Sequence, residues 1–346
     1  MEKITFCIPS KNNLRYLKTC LPSIRKNASR NDHDIIVFVD SDNDGTVEWL
    51  KENAEQYNVT YYINPELGTR LFGIGKAYDF CIENSKTDVC MIFHADMMLG
   101  KDADVNAFKH LGPKKVVCST RIEPPLHPPG PEKITLAWGN EVEDYVYEDC
   151  KNYFLELEAI HKNKTTNGIF APWCMYKSDY LAIGGHDELF APQSKEDSDL
   201  FNRFVLNGYN VIQSWDGLVY HFTSRGSRFN KHAGGAAGKN SNEWIETTTN
   251  NGRNFVRKWG MPISSFIRIN YFYKETFKYK KYKIGVKFKK DTLVYNNLFN
   301  LDLKEDETIL PVINFENFTS SRVTSVARPR ENKASEFNRL TGTLSV

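Results

Sequence analysis

The sequence has no cysteine pair with CxxC spacing and no run of 18 consecutive apolar residues. Its seven cysteines are scattered and odd in number, which argues against a zinc ribbon or a disulfide framework and favours reduced thiols in the cytoplasm. The first ten residues, MEKITFCIPS, lack a basic region followed by an apolar run, so we expect no signal peptide. We also expect no transmembrane segment, because a spanning helix needs about 20 mostly apolar residues.

Short motifs of several common nucleotide-binding and hydrolase sites are also missing. The sequence contains neither the P-loop pattern GxxxxGK(S/T) nor the nucleophile pattern GxSxG. Gly73-Ile74-Gly75 begins like a dinucleotide fingerprint, but it lacks the third glycine and does not follow the first predicted strand. These absences argue against P-loop, serine-hydrolase and dinucleotide sites.

The first 100 residues alternate between short apolar runs and amphipathic stretches. They predict strands at 4–8, 35–39, 60–63 and 89–93, and helices at 14–26, 47–57 and 75–84. This βαβαβαβ order predicts an α/β fold, in which a mostly parallel, Rossmann-like sheet carries helices on both faces. Ligands bind such sheets beyond the carboxyl ends of the strands, where most of these predicted strands end in polar or acidic residues.

The rest of the 346-residue chain is less regular. Residues 123–131 hold five prolines and predict an extended loop, while 211–215 and 218–221 predict two more strands. Residues 223–242 are rich in Gly, Ser, Ala, Lys and Arg, which predicts a flexible loop. Residues 253–290 hold twelve Lys or Arg against one acid, mixed with many Tyr and Phe. We therefore expect an α/β domain followed by a basic, aromatic C-terminal appendage.

Asp96 is the first candidate site residue, because it follows the apolar strand at 89–93 in the sequence His94-Ala95-Asp96. Its side chain and that of His94 should both project at the ligand-binding edge of the sheet. A hard divalent cation prefers oxygen ligands and often shares them with phosphates. Asp96 could therefore anchor such a cation, although an acid after a strand can also simply cap a helix or a turn.

Three motifs in the first half of the chain occur in a known order and spacing. Residues 9–12 (PSKN) follow the first strand, residues 44–46 (DGT) close the acidic turn after the second, and residues 94–96 (HAD) follow the fourth. Ala77 precedes His94 by seventeen residues. The inverting family-2 glycosyltransferases have Pro-Thr-x-Asn, Asp-Gly-Thr and a DxD motif at these places.

The second half extends the same pattern. Residues 184–188 (GGHDE), residues 196–200 (EDSDL) with Arg203, and a strand ending at His221 follow in order. The family has Gly-Gly-Phe-Asp-Glu, then Glu-Asp-x-Asp-Leu and an Arg, then a strand-end His. Over about residues 3–225, the sequence therefore resembles the inverting family-2 glycosyltransferases of the GT-A fold.

The resemblance implies a nucleotide-sugar donor, with a UDP-sugar favoured. Asp40, with Asp42 as the alternative, would contact the base or ribose of the nucleotide, and Pro9 belongs to the same predicted site. Asp96 and His221 would bind Mn²⁺ or Mg²⁺.

His94 departs from the family, which has an aspartate at this first DxD position. It could donate a hydrogen bond to the nucleotide, or it could be a buried histidine satisfied by the backbone.

Asp197 matches the general base of the family, and Glu196 is the accompanying catalytic candidate. An inverting transfer needs a carboxylate within hydrogen-bond reach of the acceptor hydroxyl, on the face opposite the leaving diphosphate. Three acids within four residues, Glu196, Asp197 and Asp199, could raise one another's pKa toward neutrality. Glu196 and Asp199 could instead only stabilise the first turn of the following helix.

Arg225 and Arg228 follow His221 in the Gly-rich stretch and are candidates for binding the diphosphate. A loop carrying them could close over the donor and exclude water. The alternative is a basic linker with no site role. We expect a catalytic domain at 1–225, divided into a nucleotide-binding half (1–100) and an acceptor half (101–225). The flexible loop at 223–242 and a helical, basic extension with a loose tail at 243–346 complete the chain.

Three functions follow from these observations. The first is transfer of a sugar to a glycan, and the second is glycosylation of a modified base in DNA, for which the cations at 253–290 would contact phosphates. The third is an inactive GT-A domain that binds a nucleotide sugar or a glycan, since His94 replaces an aspartate. Asp96, Asp197 and His221 argue against the third.

Overall fold

The computed structural model describes residues 1–130 and 132–259. The chain divides into two compact units, Met1–Asn251 and Gly252–Val346. The first unit thus extends past residue 225, where we expected the catalytic domain to end. Most of the basic, aromatic stretch at 253–290, and the predicted tail, lie outside the described residues, so their predicted roles stay predictions.

Ten strands and eight helices make up the described structure. The strands are β1 (Thr5–Lys11), β2 (Asp34–Ser41), β3 (Val59–Ile63), β4 (Val89–Ile92), β5 (Met97–Leu99), β6 (Lys115–Glu123), β7 (Lys133–Thr135), β8 (Thr165–Asn167), β9 (Trp173–Tyr176) and β10 (Asn210–His221). The helices are α1 (Leu14–Asn27), α2 (Thr46–Asn53), α3 (Ile74–Glu83), α4 (Ala103–Phe108), α5 (Tyr147–Ile160), α6 (Lys177–Ile183), α7 (Glu196–Leu206) and α8 (Asn242–Trp259).

One mostly parallel sheet has the strand order β3-β2-β1-β4-β9-β6-β10-β5, with β7 beside β6 and β8 beside β10. The first four strands are parallel to one another, as the alternation of strands and helices predicts. β9 is inserted antiparallel between β4 and β6, and β10 pairs parallel with β6. The predicted α/β fold with a mostly parallel central sheet is confirmed.

The core explains why these strands form. Residues 35–39 of β2 are each at most 4% exposed, so the strand is covered on both faces, as its continuous apolar run predicts. Burying each side chain of this kind stabilises the fold by about 1.5–3 kcal/mol relative to leaving it exposed. All seven cysteines are buried as free thiols.

The structure corrects two predicted boundaries. The strands expected at 211–215 and 218–221 form one strand, β10, whose register against β6 shifts between Ser214 and Leu218. Asp216 and Gly217 interrupt the apolar pattern at this irregularity without ending the strand. The second helix ends at Asn53, earlier than predicted. Among the residues that the structure describes, no helix has the length and apolar character that a membrane span requires.

Candidate active site

A cavity of about 270 Å³ opens at the edge of the sheet where the parallel strands end. Its lining includes seven of the predicted site residues: Pro9, Asp40, His94, Asp96, Glu196, Asp197 and His221. β1, β2 and β4 run parallel, so their carboxyl ends bring the first four of these residues to the same edge. The strand-end interpretation of the sequence therefore located the side of the cavity that these strands form.

His221 reaches the cavity through β10, the long strand that ends at this residue. β10 pairs antiparallel with β5, and this pairing places His221 opposite Met97, the residue after Asp96. The backbone N–H of Phe222 also donates a hydrogen bond to the carbonyl of Asp96, at 3.0 Å. Two segments that lie far apart in sequence are thus joined at the centre of the site.

His94, Asp96 and His221 form a three-residue cluster whose possible ligand atoms lie within 4.8 Å of one another. His221 Nε2 lies 3.4 Å from Asp96 Oδ1, and His94 Nδ1 lies 3.9 Å from the same oxygen. The second Asp96 oxygen accepts a 2.7 Å hydrogen bond from the Arg225 backbone N–H, which holds the carboxylate in place. Two imidazoles and one carboxylate are a donor set suited to a divalent metal ion.

The orientation of His221 leaves one of its nitrogen atoms available. Its Nδ1 donates to Glu123 Oε1 at 2.7 Å, which directs Nε2 toward Asp96. Nε2 is buried and makes no hydrogen bond within the described part of the chain. A carboxylate that orients a histidine through one nitrogen while the other points to a cation site is the usual outer support of a metal ligand.

The charges around His221 also favour a cation. Burial lowers the pKa of His221, but Asp96 and Glu123 outweigh this and raise it above its ordinary value. Burial alone would raise the pKa of Glu123, yet Arg121, His221 and Lys133 hold it well below its usual range. The two carboxylates are therefore ionised, and a metal ion could replace the proton of His221 at this position.

His94 is better placed as a ligand than its departure from the family implies. Burial and the neighbouring charge of His221 lower the pKa of His94 to about 3, so its imidazole is neutral and offers a lone pair. Its ring contacts the rings of Tyr78 and His221, at centroid distances of 6.2 and 5.4 Å. The contacts given for this ring in the described residues are with side chains, which favours the ligand role over that of a histidine satisfied by the backbone.

Glu196 and Asp197 begin α7 and line the same cavity. Ser194 and Lys195, just before them, both have a left-handed backbone with φ near 76°, which turns the chain sharply into the helix. Such non-glycine residues cost about 1–3 kcal/mol each and concentrate at functional sites. Asp199, the third acid of the motif, instead pairs with Arg203 at 3.0 Å and is fully buried, so it supports the helix.

The pKa values of the two acids are raised to different extents. Burial raises the pKa of Asp197, while the charges of His186 and Arg121 oppose part of this effect. Burial and the negative charge of Asp197 together raise the pKa of Glu196 well above its ordinary value. Of the two acids, Glu196 therefore has the stronger tendency to hold a proton.

The two acids at the end of β2 both accept hydrogen bonds from the protein. Asp40 is 4% exposed and its carboxylate accepts hydrogen bonds from Phe72 N at 2.7 Å, Gly73 N at 2.9 Å and the Asn64 amide at 2.9 Å. Burial raises its pKa above the ordinary value despite these bonds. Asp40 thus lines the cavity and also holds the 72–73 segment.

Asp42 does not reach the cavity. It accepts hydrogen bonds from the backbone N–H groups of Thr46 and Val47 and so caps α2. Of the two alternatives for the nucleotide contact, only Asp40 is brought to the site.

The two predicted diphosphate arginines do not line the cavity. The Arg225 guanidinium bonds to the carbonyls of Phe222 and Asn140 and lies 3.4 Å from Glu141. Arg228 donates to Asn240, and both arginines are at most 6% exposed. The segment that carries them, which we predicted to be a flexible loop, is held in place by these buried side chains. Arg225 contributes to the site through its backbone N–H, which donates to Asp96.

Several cavity residues were missed by the sequence analysis: Tyr78, Arg121, Glu123, His127 and Lys133. Glu123 ends β6, so the strand-end argument that found Asp96 would have found it too. Lys133 pairs with Glu123 at 2.9 Å, from the neighbouring strand β7. Tyr78 lies within α3 and carries no distinguishing sequence signal.

Two protein-family models match parts of the chain. Residues 5–155 match the model described as "Glycosyl transferase family 2", and residues 167–229 match the model described as "Chondroitin N-acetylgalactosaminyltransferase". A comparison with curated protein sequences gives no match.

Among solved structures, the chain is similar to GalNAc-T7 crystallised with UDP, GalNAc and Mn²⁺, at 12% identity and a TM-score of 0.47. That match covers 63% of this chain and 43% of the other, less than half of GalNAc-T7. The chain is also similar to S. aureus TarS 1–349, at 13% identity and a TM-score of 0.46, over 84% of this chain and 76% of the other. The family match therefore places residues 5–155, less than half of the chain, in glycosyl transferase family 2.

Proposed function

We propose that the chain is a metal-dependent, inverting glycosyltransferase that moves a sugar from a nucleotide-sugar donor to an acceptor hydroxyl. The observation that carries the proposal is the shared cavity, whose lining holds the His94–Asp96–His221 cluster and the Glu196–Asp197 pair. A cation site and a carboxylate base are the two parts that such a transfer needs: one for the leaving diphosphate and one for the acceptor.

The metal ligands would be Asp96, His221 and His94. The support is the unbonded His221 Nε2, the ionised Asp96 beside it and the neutral imidazole of His94. Imidazole ligands suit transition metals better than Mg²⁺, so Mn²⁺ is preferred to Mg²⁺ for this site. When bound, the metal ion would neutralise charge that develops on the leaving diphosphate.

Asp197 would act as the general base. It accepts the proton of the acceptor hydroxyl, whose oxygen attacks the anomeric carbon of the sugar as the bond from that carbon to the phosphate oxygen breaks. The attack comes from the face opposite the diphosphate, so the configuration at the anomeric carbon is inverted. Burial and the charge of Asp197 favour protonation of Glu196, so Asp197 is the acid of the pair that we assign as the base.

The donor would lie with its nucleoside against Pro9 and Asp40, at the ends of β1 and β2. We propose a UDP-sugar as the donor class and a glycan as the acceptor. The glycan is supported by the match of residues 167–229 to a family whose description names transfer of N-acetylgalactosamine to chondroitin. Glycosylation of DNA would depend on residues 253–290, most of which lie outside the described structure.

A thermal-shift screen of UDP-, GDP-, CMP- and dTDP-sugars, with and without Mn²⁺, tests the proposal. We expect one nucleotide class to raise Tm, and Mn²⁺ to increase that shift, because ligands that bind only the folded state stabilise it. The same screen with Asp96→Asn is the control, in which the Mn²⁺-dependent part of the shift should disappear. A nucleotide-sugar shift that is identical with and without Mn²⁺ in the wild-type protein would contradict the metal site.

A further inference from the structure

The side chain of Tyr78 carries an unused hydroxyl group. It is 1% exposed, it lies on α3, and it contributes to the lining of the cavity. Its hydroxyl oxygen is buried and has no hydrogen-bond partner among the described residues. A buried hydroxyl without a partner destabilises the folded protein, so its presence at a ligand cavity points to a ligand that supplies the partner.

The ring of Tyr78 is held between two imidazoles. It stacks on His94 with a centroid distance of 6.2 Å and an interplanar angle of 27°, and on His186 with 5.8 Å and 26°. His186 can approach this closely because α3 has a glycine at position 75, where an added Cβ would lie 2.7 Å from His186 Cβ. The ring is therefore positioned by packing alone, and the hydroxyl remains available to a ligand.

The position of the hydroxyl relates it to both halves of the reaction. The Tyr78 ring stacks on His94 of the metal cluster, and its side chain lines the same cavity as Asp96 and the Glu196–Asp197 pair. A Tyr hydroxyl can donate to a sugar hydroxyl or to an amide carbonyl.

In an inverting transfer the leaving diphosphate and the attacking hydroxyl are on opposite faces of the sugar. With the metal cluster on one side and Asp197 on the other, a group close to both faces the transferred sugar. We propose that the Tyr78 hydroxyl donates a hydrogen bond to the transferred sugar of the donor and so helps to determine which sugar is used. This inference rests on the proposed function, since that function assigns the two sides of the cavity.

The test compares Tyr78→Phe with the wild-type protein in calorimetric titrations with Mn²⁺ present. The ligands are UDP, UDP-glucose, UDP-galactose and the N-acetylamino forms of both sugars. We expect the variant to bind its best UDP-sugar about two- to tenfold more weakly, as for the loss of one hydrogen bond, while its affinity for UDP is unchanged. The Tm without ligand should be unchanged or higher, because the variant removes a hydroxyl that bonds to nothing.

Tyr145→Phe is the matched control. Tyr145 also has a buried hydroxyl without a partner in the described structure, and its ring stacks on Tyr220 at 4.6 Å, but it does not line the cavity. This variant should bind UDP and the UDP-sugars as the wild-type protein does. If Tyr145→Phe weakened sugar binding equally, the effect would reflect general packing and our inference would be wrong.

Two further outcomes separate this inference from the proposed function. Unchanged UDP-sugar affinity in Tyr78→Phe, or an equal loss of UDP affinity, would overturn the role of Tyr78 and leave the transferase proposal standing. A wild-type protein that binds none of the UDP-, GDP-, CMP- or dTDP-sugars with Mn²⁺ would overturn both. If the bound nucleotide is not UDP, the same comparison is made between that sugar nucleotide and its sugar-free nucleotide.

Discussion

Two buried histidine–carboxylate pairs in this protein differ in how many of their hydrogen-bonding atoms are used. In the first, His33 Nδ1 accepts from the Ile4 backbone N–H at 3.1 Å, and its Nε2 donates to Asp104 at 2.9 Å. Asp104 also accepts from the backbone N–H and the hydroxyl of Ser29. Every polar atom of the His33 ring thus has a protein partner, and the pair links β1, α4 and the segment after α1.

In the second pair, only one side of the histidine is used. His221 Nδ1 donates to Glu123 at 2.7 Å, while Nε2 faces Asp96 at 3.4 Å without a hydrogen bond. The same two residue types therefore form a saturated structural contact in one place and, in the other, a pair whose second imidazole nitrogen has no hydrogen-bond partner in the described structure. A buried polar atom without a hydrogen-bond partner therefore distinguishes the His221 pair from the structural His33 pair, whereas the residue types do not.

The largest expected effect is on catalysis at the open site. Asp197→Asn removes the base but keeps the size of the side chain, so we expect kcat for sugar transfer to fall by about 10²–10⁴-fold. Glu196→Gln is the matched control, since burial and the charge of Asp197 raise the pKa of Glu196 and favour its protonated form, so its amide replacement should change kcat by less than about threefold. Steady-state kinetics with a saturating donor measure both, and equal losses in the two variants would contradict Asp197 as the base.

A smaller effect is expected on metal affinity. Glu123→Gln weakens the contact that orients His221, so we expect Mn²⁺ to bind about 10–100-fold more weakly by calorimetry. Asp104→Asn changes the carboxylate of the saturated pair and serves as the control, with Mn²⁺ affinity unchanged. If the two variants bound Mn²⁺ alike, the distinction between the open pair and the saturated pair would be lost.

The smallest effect is on stability at the saturated pair. Asp104→Asn should lower the free energy of unfolding by about 1–3 kcal/mol at pH 7, because it disturbs a buried hydrogen-bonded group. Burial would raise the pKa of Asp104, but its bonds to His33 and Ser29 lower it below its ordinary value. The stabilisation is thus present above the pKa of an unfolded aspartate and is lost as the pH falls through the lowered pKa.

Urea unfolding at several pH values between 3 and 7 measures this contribution. The wild-type protein should lose stability in acid, and the Asp104→Asn variant should lose less of it, since the titrating carboxylate is absent. A variant with the stability and the acid sensitivity of the wild-type protein would show that the pair contributes nothing to folding.

Much of the nucleotide-binding half could be predicted from the sequence. Short continuous apolar runs predicted β1 to β4, and apolar residues at helical spacing predicted the helices between them. These patterns are informative because burial of the apolar side chains is the main stabilisation of the sheet. The strand-end argument then located Pro9, Asp40 and Asp96 at one edge. The same argument did not distinguish Asp42. The carboxylate of Asp42 accepts hydrogen bonds from the N-terminus of α2, and this local contact competes with any ligand.

The rest of the site depends on contacts between distant segments. Arg225 and Arg228 looked available for a diphosphate because they lie in a glycine-rich stretch, but in the fold their guanidinium groups bond to Asn140 and Asn240. Tyr78 looked like an ordinary helix residue. Its unused hydroxyl becomes visible only when the cavity is closed by segments from α3, α7 and the ends of the strands.

The sequence by itself indicated the family resemblance, the α/β architecture and several of the strand-end acids, because these depend on local patterns and on motifs in a set order. The tertiary structure decided which polar atoms are satisfied and which are left open to a ligand. It made His94 a metal-ligand candidate and brought Asp197 and Glu196 into the same cavity as the cluster. Hydrogen bonds and burial set these properties, and both depend on neighbours that lie far away in the chain.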